Sequence, residues 1–148
     1  MAQSLSFYDK LKKEFEMKEV DIRTYSPLSL AYIGDSVYDM VVRSYVVGQK
    51  NIPNGKLHKI SVKYVSAKAQ AMVADKAQDI FNDEEMAVYR RGKNAKIGSK
   101  AKNASLAEYL KATGVEAVIG YLYLTDKEER ILELVKQAIA IVDNGEKE

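Results

Sequence analysis

Apolar residues return at three- and four-residue spacing along almost all of this 148-residue chain, and no run alternates apolar with polar residues between turn signals. That pattern predicts an all-α fold, because a helix repeats its core face every 3.6 residues and a half-buried strand every two. Only two prolines occur, Pro27 and Pro53, each where a helix can begin. The spacing predicts a first helix over Leu5 to Phe15, with Phe7, Leu11 and Phe15 on one face, and a long apolar helix from the Ser26-Pro27 cap to about Val47, stopped by Gly48. A short helix is expected after Asn54. Ser66 can cap a helix with the stripe Ala69, Met72, Val73 and Ile80, and Asp83 can cap one ending near Arg91. The stretch Gly92 to Asn103 reads as an exposed loop. Ser105 can open a helix reaching Leu124, with Thr113-Gly114 as its weak point, since glycine costs a helix about 1 kcal/mol relative to alanine. Thr125 and Glu128 match a T-x-x-E capping box for a last helix whose core face is Ile131, Leu134, Val135, Ala138 and Ile141 or Val142. No repeat or linker divides the chain, so one helical-bundle domain over residues 1–148 is expected, with 1–20 as an N-terminal extension and 144–148 as a frayed tail.

Composition narrows the function classes. With 47% apolar residues the chain can fill one core, yet no stretch approaches the ~18 uninterrupted apolar residues of a membrane span, and Met1 to Lys13 lacks the order of a secretory signal. The absence of cysteine excludes disulfides, thiolate metal sites and a cysteine nucleophile. A cytoplasmic protein with no membrane partner is the expectation. The net charge of +2 conceals an asymmetry: Tyr89 to Lys102 holds six basic residues (Arg90, Arg91, Lys93, Lys96, Lys100 and Lys102) and no acid, leaving 17 basic and 21 acidic residues, or −4, elsewhere. A +6 segment on a −4 body suits a polyanion, although a solvated basic loop would look the same.

Two carboxylates stand in apolar surroundings. Asp35 interrupts Leu30-Ala31-Tyr32-Ile33-Gly34-Asp35-Ser36-Val37-Tyr38, and helical spacing stacks it with Ala31, Tyr32, Tyr38 and Asp39. A carboxylate there is costly unless paired, hydrogen-bonded or bound to a cation, so Asp35 is either functional or a satisfied structural acid. Gly34 beside it makes sense if something approaches the backbone closely. Glu116 likewise interrupts Val115-Glu116-Ala117-Val118-Ile119-Gly120. Two such acids on facing helices could share a divalent cation, and Mg²⁺ suits them because it takes one or two protein carboxylates and keeps several waters.

The run Leu30-Ala-Tyr-Ile-Gly-Asp35-Ser-Val-Tyr-Asp-Met-Val-Val-Arg43 resembles the signature helix of the ribonuclease III family, and the Leu-Ala-Tyr before it resembles the Mini-ribonuclease III branch. The resemblance continues through Val65-Ser-Ala-Lys-Ala-Gln-Ala71, Tyr89-Arg-Arg-Gly-Lys-Asn-Ala-Lys96 and Ala112-Thr-Gly-Val-Glu116-Ala-Val-Ile-Gly-Tyr-Leu122, so four motifs in order span Ser26 to Arg130. It implies a ribonuclease III-like helical bundle. It implies an Mg²⁺-dependent endoribonuclease for double-stranded RNA, with Asp35 and Glu116 as catalytic metal ligands. Products would carry 5′-phosphate and 3′-hydroxyl ends, and a homodimer would cut opposite strands. The implied substrate is precursor 23S ribosomal RNA, with a ribosomal protein that presents it as a further partner. Two further acids of the larger enzymes fall at Ala31 and Thr113 in this chain, which leaves one or two Mg²⁺ ions open. No separate double-stranded-RNA-binding domain is expected, so RNA grip falls to Arg90, Arg91, Lys93, Asn94, Lys96, Lys100 and Lys102, whose side chains suit phosphates and 2′-hydroxyls.

Other signals read as structural. His58 is the only histidine and is expected at the surface, and most of the ten tyrosines sit in helix stripes as core or interface residues. Glu84-Glu85 and Glu128-Glu129 occupy first helical turns, where the macrodipole favours acids. Asp39 either supports Asp35 or faces solvent. Two other readings remain: a non-cutting RNA-binding or ribosome-assembly module on the same fold, and a helical protein-interaction domain.

Overall fold

The computed structural model describes residues 5–95 and 105–145, and among these the regular elements are all helical. The order is α1 (Phe7–Glu14), α2 (Pro27–Gln49), α3 (Asn54–Val65), α4 (Ala67–Ala74), α5 (Ala77–Ile80), α6 (Asp83–Lys93), α7 (Ser105–Leu124) and α8 (Glu128–Gly145), with a 3-10 turn at Ile22–Thr24 before α2. No helix among the described residues is long and apolar enough to cross a membrane.

Helix α7 is the axis of the bundle. It is apolar around its whole circumference: Ala112 to Val115 and Ala117 to Gly120 are all buried, with Glu116 between them. Helices α2, α4 and α6 pack against it, and α8 closes the core with Ile131, Leu134, Val135, Ala138 and Val142. Small residues let these neighbours come close. A Cβ on Gly34 of α2 would lie 1.7 Å from the Glu116 carbonyl oxygen, and one on Gly120 would lie 1.9 Å from that of Leu30. The helices therefore touch backbone to backbone, and the approach foreseen beside Gly34 is that of α7 itself.

The expected weak point at Thr113-Gly114 is not a break, because α7 runs unbroken from Ser105 to Leu124. Gly114 is there because a Cβ would meet the Tyr89 ring at 2.7 Å, and the tight α6–α7 packing outweighs the propensity cost. Gly48 does not stop α2, which ends at Gln49, with Lys50 as its cap. Ser66 does divide α3 from α4, its hydroxyl accepting from the Ala69 N–H at 3.2 Å. Asn82 rather than Asp83 caps α6, in a reciprocal capping box with Glu85.

The capping box expected at Thr125 is replaced by another arrangement. Thr125 closes α7 by donating to the Tyr121 carbonyl at 2.7 Å, Asp126 turns the chain with φ 62°, and Glu128 is the first residue of α8. The face expected on α1 is also revised. Phe7 and Phe15 are exposed while Tyr8, Leu11 and Lys12 are partly covered, because α1 docks through Tyr8 on Tyr123 and through Ser6 on Asp126.

Alanine in place of Gly34 or Gly120 must force α2 and α7 apart, and is expected to destabilise the fold by about 3 kcal/mol or more despite alanine's better helix propensity. Gly48→Ala meets nothing within 4 Å and should stabilise it by about 0.5–1 kcal/mol. Urea unfolding of the three variants checks both signs; equal small effects at all three positions would mean that the helices do not touch through Gly34 and Gly120.

Candidate active site

The crossing that Gly34 and Gly120 permit also fixes where two acids stand. Asp35 follows Gly34 on α2 and is exposed at the surface; Glu116, whose carbonyl oxygen faces Gly34, is half-buried on α7. Their carboxyl groups stand close enough for Asp35 to raise Glu116 both by side-chain contact and by its charge. The two side chains singled out in the sequence therefore converge.

Two further groups face Glu116. Tyr38, one turn after Asp35 and 1% exposed, has its hydroxyl pushed above the usual phenol range by burial and then by the Glu116 charge. Gln70, from α4, is 2% exposed and lies close enough to Glu116 for its amide to lower that carboxyl. Its Nε2 donates to the Val65 carbonyl at 3.0 Å, while Oε1 is buried with no hydrogen-bond partner among the described residues. A buried acceptor left so costs about 1–3 kcal/mol. Gln70 was not among the expected site residues. The signal for it was a neutral amide on the otherwise apolar face of Ala69, Ala71 and Val73.

Glu116 is pushed up to about 8, first by burial, then by the hydrogen bond and negative charge of Asp35, with the Gln70 amide pulling the other way. Among the described residues no positive side chain contributes to that balance. Among the described residues no cluster of three or more acidic, histidine or cysteine ligands occurs, so the protein donors are two carboxylates beside one free amide oxygen. That set fits a hard divalent cation that keeps most of its water shell.

Asp39 pairs with Arg43 at 3.0 Å along α2, which gives it a partner on its own helix. Ala31 and Thr113 are both buried, and the Thr113 hydroxyl donates to the Tyr109 carbonyl at 2.9 Å. His58 is exposed on α3, as expected.

The helix expected to end near Arg91 runs on to Lys93. Arg90, Arg91 and Lys93 belong to the last turn of α6, where the macrodipole favours cations, and Asn94 is its C-cap. All four are exposed. Arg90, Lys93 and Asn94 line a cleft of about 590 Å³ with Asp75, Asp79 and Lys111, and Lys111 pairs with Asp75 at 2.6 Å. That lining does not include Asp35 or Glu116. Lys96, Lys100 and Lys102 lie outside the described residues.

A family model described as the ribonuclease III domain matches residues 28–127, from the start of α2 to the turn after α7, and so takes in Asp35, Gln70 and Glu116. Mini-ribonuclease 3 of Brevibacillus brevis is 49% identical over 80% of this chain and 88% of its own length. Mini-ribonuclease 3 of Staphylococcus aureus is 47% identical over 82% and 92%. Among solved structures, a protein from Fusobacterium nucleatum superposes with a TM-score of 0.71 at 33% identity, over 82% of this chain and 98% of that one.

The acid pair has a consequence for stability. An acid raised from 4.5 to about 8 on folding binds more protons folded than unfolded between those values, so its contribution to stability falls as pH rises through that window. Glu116→Gln removes the charge and keeps the shape. In EDTA it is expected to raise Tm above wild type by about 3 °C or more near pH 8.5, with the gap closing towards pH 5. Calorimetry of both proteins across that range checks the sign; a gap independent of pH would mean that Glu116 is not held protonated by the fold.

Proposed function

The chain belongs to the ribonuclease III family, in its Mini-ribonuclease 3 branch, and from that premise we propose that it is an Mg²⁺-dependent endoribonuclease for double-stranded RNA, with Asp35 and Glu116 as its catalytic metal ligands. The observation that carries the proposal is the meeting of these two carboxyls at the α2–α7 crossing, with no basic side chain among the described residues acting on Glu116. Asp35 presents its carboxylate at the surface, where a phosphodiester can reach it, and the half-buried Glu116 would serve as the second carboxylate holding the cation. When bound, Mg²⁺ supplies Lewis-acid chemistry, lowering the pKa of a water and offsetting charge on the phosphate oxygens. Hydrolysis with the 3′ oxygen as leaving group gives 5′-phosphate and 3′-hydroxyl ends. With Ala31 and Thr113 buried and uncharged, the protein charge in the site is enough for one ion.

Arg90, Arg91, Lys93 and Asn94, continued by Lys96, Lys100 and Lys102, are the proposed grip on the RNA. Duplex RNA is held by its phosphates and 2′-hydroxyls rather than by base edges, and exposed guanidinium, ammonium and amide groups are donors to both. The family premise and the carboxyl pair favour cutting over a purely RNA-binding assembly role.

A homodimer completes the proposal. Tyr32 is 82% exposed on α2, and Leu28, Met40, Tyr45 and Val47 are exposed on the same helix. Met40 continues into an apolar groove of about 310 Å³ formed with Phe7, Val37, Val41, Ile131 and Leu132. Such a surface suits a self-complementary contact, and two subunits would set one carboxyl pair against each strand. The substrate proposed is precursor 23S ribosomal RNA in the cytoplasm, presented by a ribosomal protein.

Purified protein is expected to cut a long RNA duplex in Mg²⁺ and not in EDTA, and Asp35→Asn should lower the rate by about a hundredfold or more. RNA bound but left intact by wild type under these conditions would favour the assembly reading. Arg90→Ala and Lys93→Ala should each weaken duplex binding and reduce the slope of log affinity against log salt by about one, as expected for loss of a phosphate contact; an unchanged slope would remove that residue from the RNA surface.

A further inference from the structure

Gln70 is the only residue of α4 that carries a buried polar side chain, and its amide is oriented by the backbone. The Val65 carbonyl can only accept, so the amide must turn Nε2 towards it, and the 3.0 Å contact fixes which side of the group is nitrogen. Val65 is the last residue of α3, and the chain breaks at Ser66 to start α4, so that carbonyl is free of the α-helical ladder. One N–H is thus committed to Val65, and the amide also acts on Glu116, lowering its carboxyl. Oε1 remains buried and unpartnered, the only such side-chain atom among the described residues.

We propose that Gln70 is a positioning residue of the site: its N–H holds the Glu116 carboxylate in its ligand orientation, and its Oε1 accepts a hydrogen bond from a water of the cation's hydration shell. The inference rests on the reading of Asp35 and Glu116 as cation ligands. An apolar side chain would fill the same space in α4 more cheaply, since every other buried residue of that helix is apolar and Gln70 leaves an acceptor unsatisfied. A strongly hydrated divalent cation held by only two carboxylates brings the missing donor with it. The neutral amide supplies that acceptor without adding a third negative charge to the pair.

Gln70→Met keeps volume and removes both polar atoms. Its fold should survive, with Tm in EDTA within about 5 °C of wild type. Calorimetric affinity for Mn²⁺, used as the probe in the absence of RNA, should fall by roughly tenfold, as for other groups that orient metal ligands. On duplex RNA kcat should fall by a similar factor while KM stays within about threefold, because phosphate grip lies elsewhere. A second measurement uses the wild-type protein: in a Mg²⁺ titration the Gln70 side-chain N–H₂ resonances should shift with the same midpoint as cation binding. Wild-type affinity and kcat in Gln70→Met, or amide resonances that ignore the cation, would overturn the role of Gln70. If wild type binds cation and cuts RNA while Asp35→Asn does neither, that failure belongs to Gln70 alone; if wild type itself does neither, the underlying reading of the carboxyl pair falls and Gln70's role with it.

Discussion

The backbone contact between α2 and α7 is the constraint on which the rest of the molecule is arranged. Gly34 and Gly120 face each other across it so closely that neither position has room for a methyl group. On another side of α7, Gly114 receives the Tyr89 ring and backbone from α6, and Gly92 of α6 meets Ala117 and Gly114. A helix gripped in this way cannot present a broad polar face to water. Glu116 lies in the middle of the gripped segment with its carbonyl oxygen against Gly34, and the residue that follows Gly34 on α2 is Asp35. The carboxyl pair is thus a product of the crossing geometry.

The same bundle contains a second buried acid, and the contrast shows what distinguishes the site. Burial works to raise Glu85 as it does Glu116, but two hydrogen bonds donated by Arg130 at 2.8 Å and one donated by the Asn82 backbone N–H outweigh it, holding Glu85 below the usual carboxylate range. Arg130 also donates to the Ile80 carbonyl at 2.7 Å, so the pair ties the end of α5 and the start of α6 to α8. Glu85 is an acid whose charge the fold satisfies, and its chemistry ends there. Glu116 faces another acid instead, and the Gln70 amide is what acts on the other side of its balance. Burial alone does not separate a structural carboxylate from a functional one; the sign of the nearest charge does.

Much of this was legible in the sequence, for an identifiable reason. Helical periodicity, the Ser26-Pro27 start of α2 and the Ser66 break are local features, decided within a few residues of where they are read. Asp35 and Glu116 stood out because each interrupts an apolar run. What could not be read depended on contacts between distant segments. Gly114 looked like a weakness because Tyr89, its reason for being small, lies 25 positions away. Phe7 and Phe15 have the right spacing for a core face, yet the side of α1 that docks is chosen by Tyr123 and Asp126. Thr125 and Glu128 satisfy the spacing of a capping box, but the left-handed turn at Asp126 separates them, one ending α7 and the other starting α8. Gln70 lay inside a recognised motif, but a buried amide acquires meaning only when its neighbour across the helix interface is known.

The reduced number of acids near the crossing fits this economy of charge. Where the larger enzymes of the family resemble this chain but carry two more carboxylates, Ala31 and Thr113 are buried here and the Thr113 hydroxyl is bound to its own helix. Neither can orient a cation or its water. Glu116 is already raised by one neighbouring acid, and each further acid would raise the site's cation-free cost again, in a bundle whose small size leaves little stability in reserve. A neutral acceptor placed from a third helix offers orientation without that repulsion. Gln70 does this from α4, anchored on the carbonyl that the α3–α4 break leaves free, so a break that looks like a mere turn in the chain becomes part of how the carboxyl pair is held.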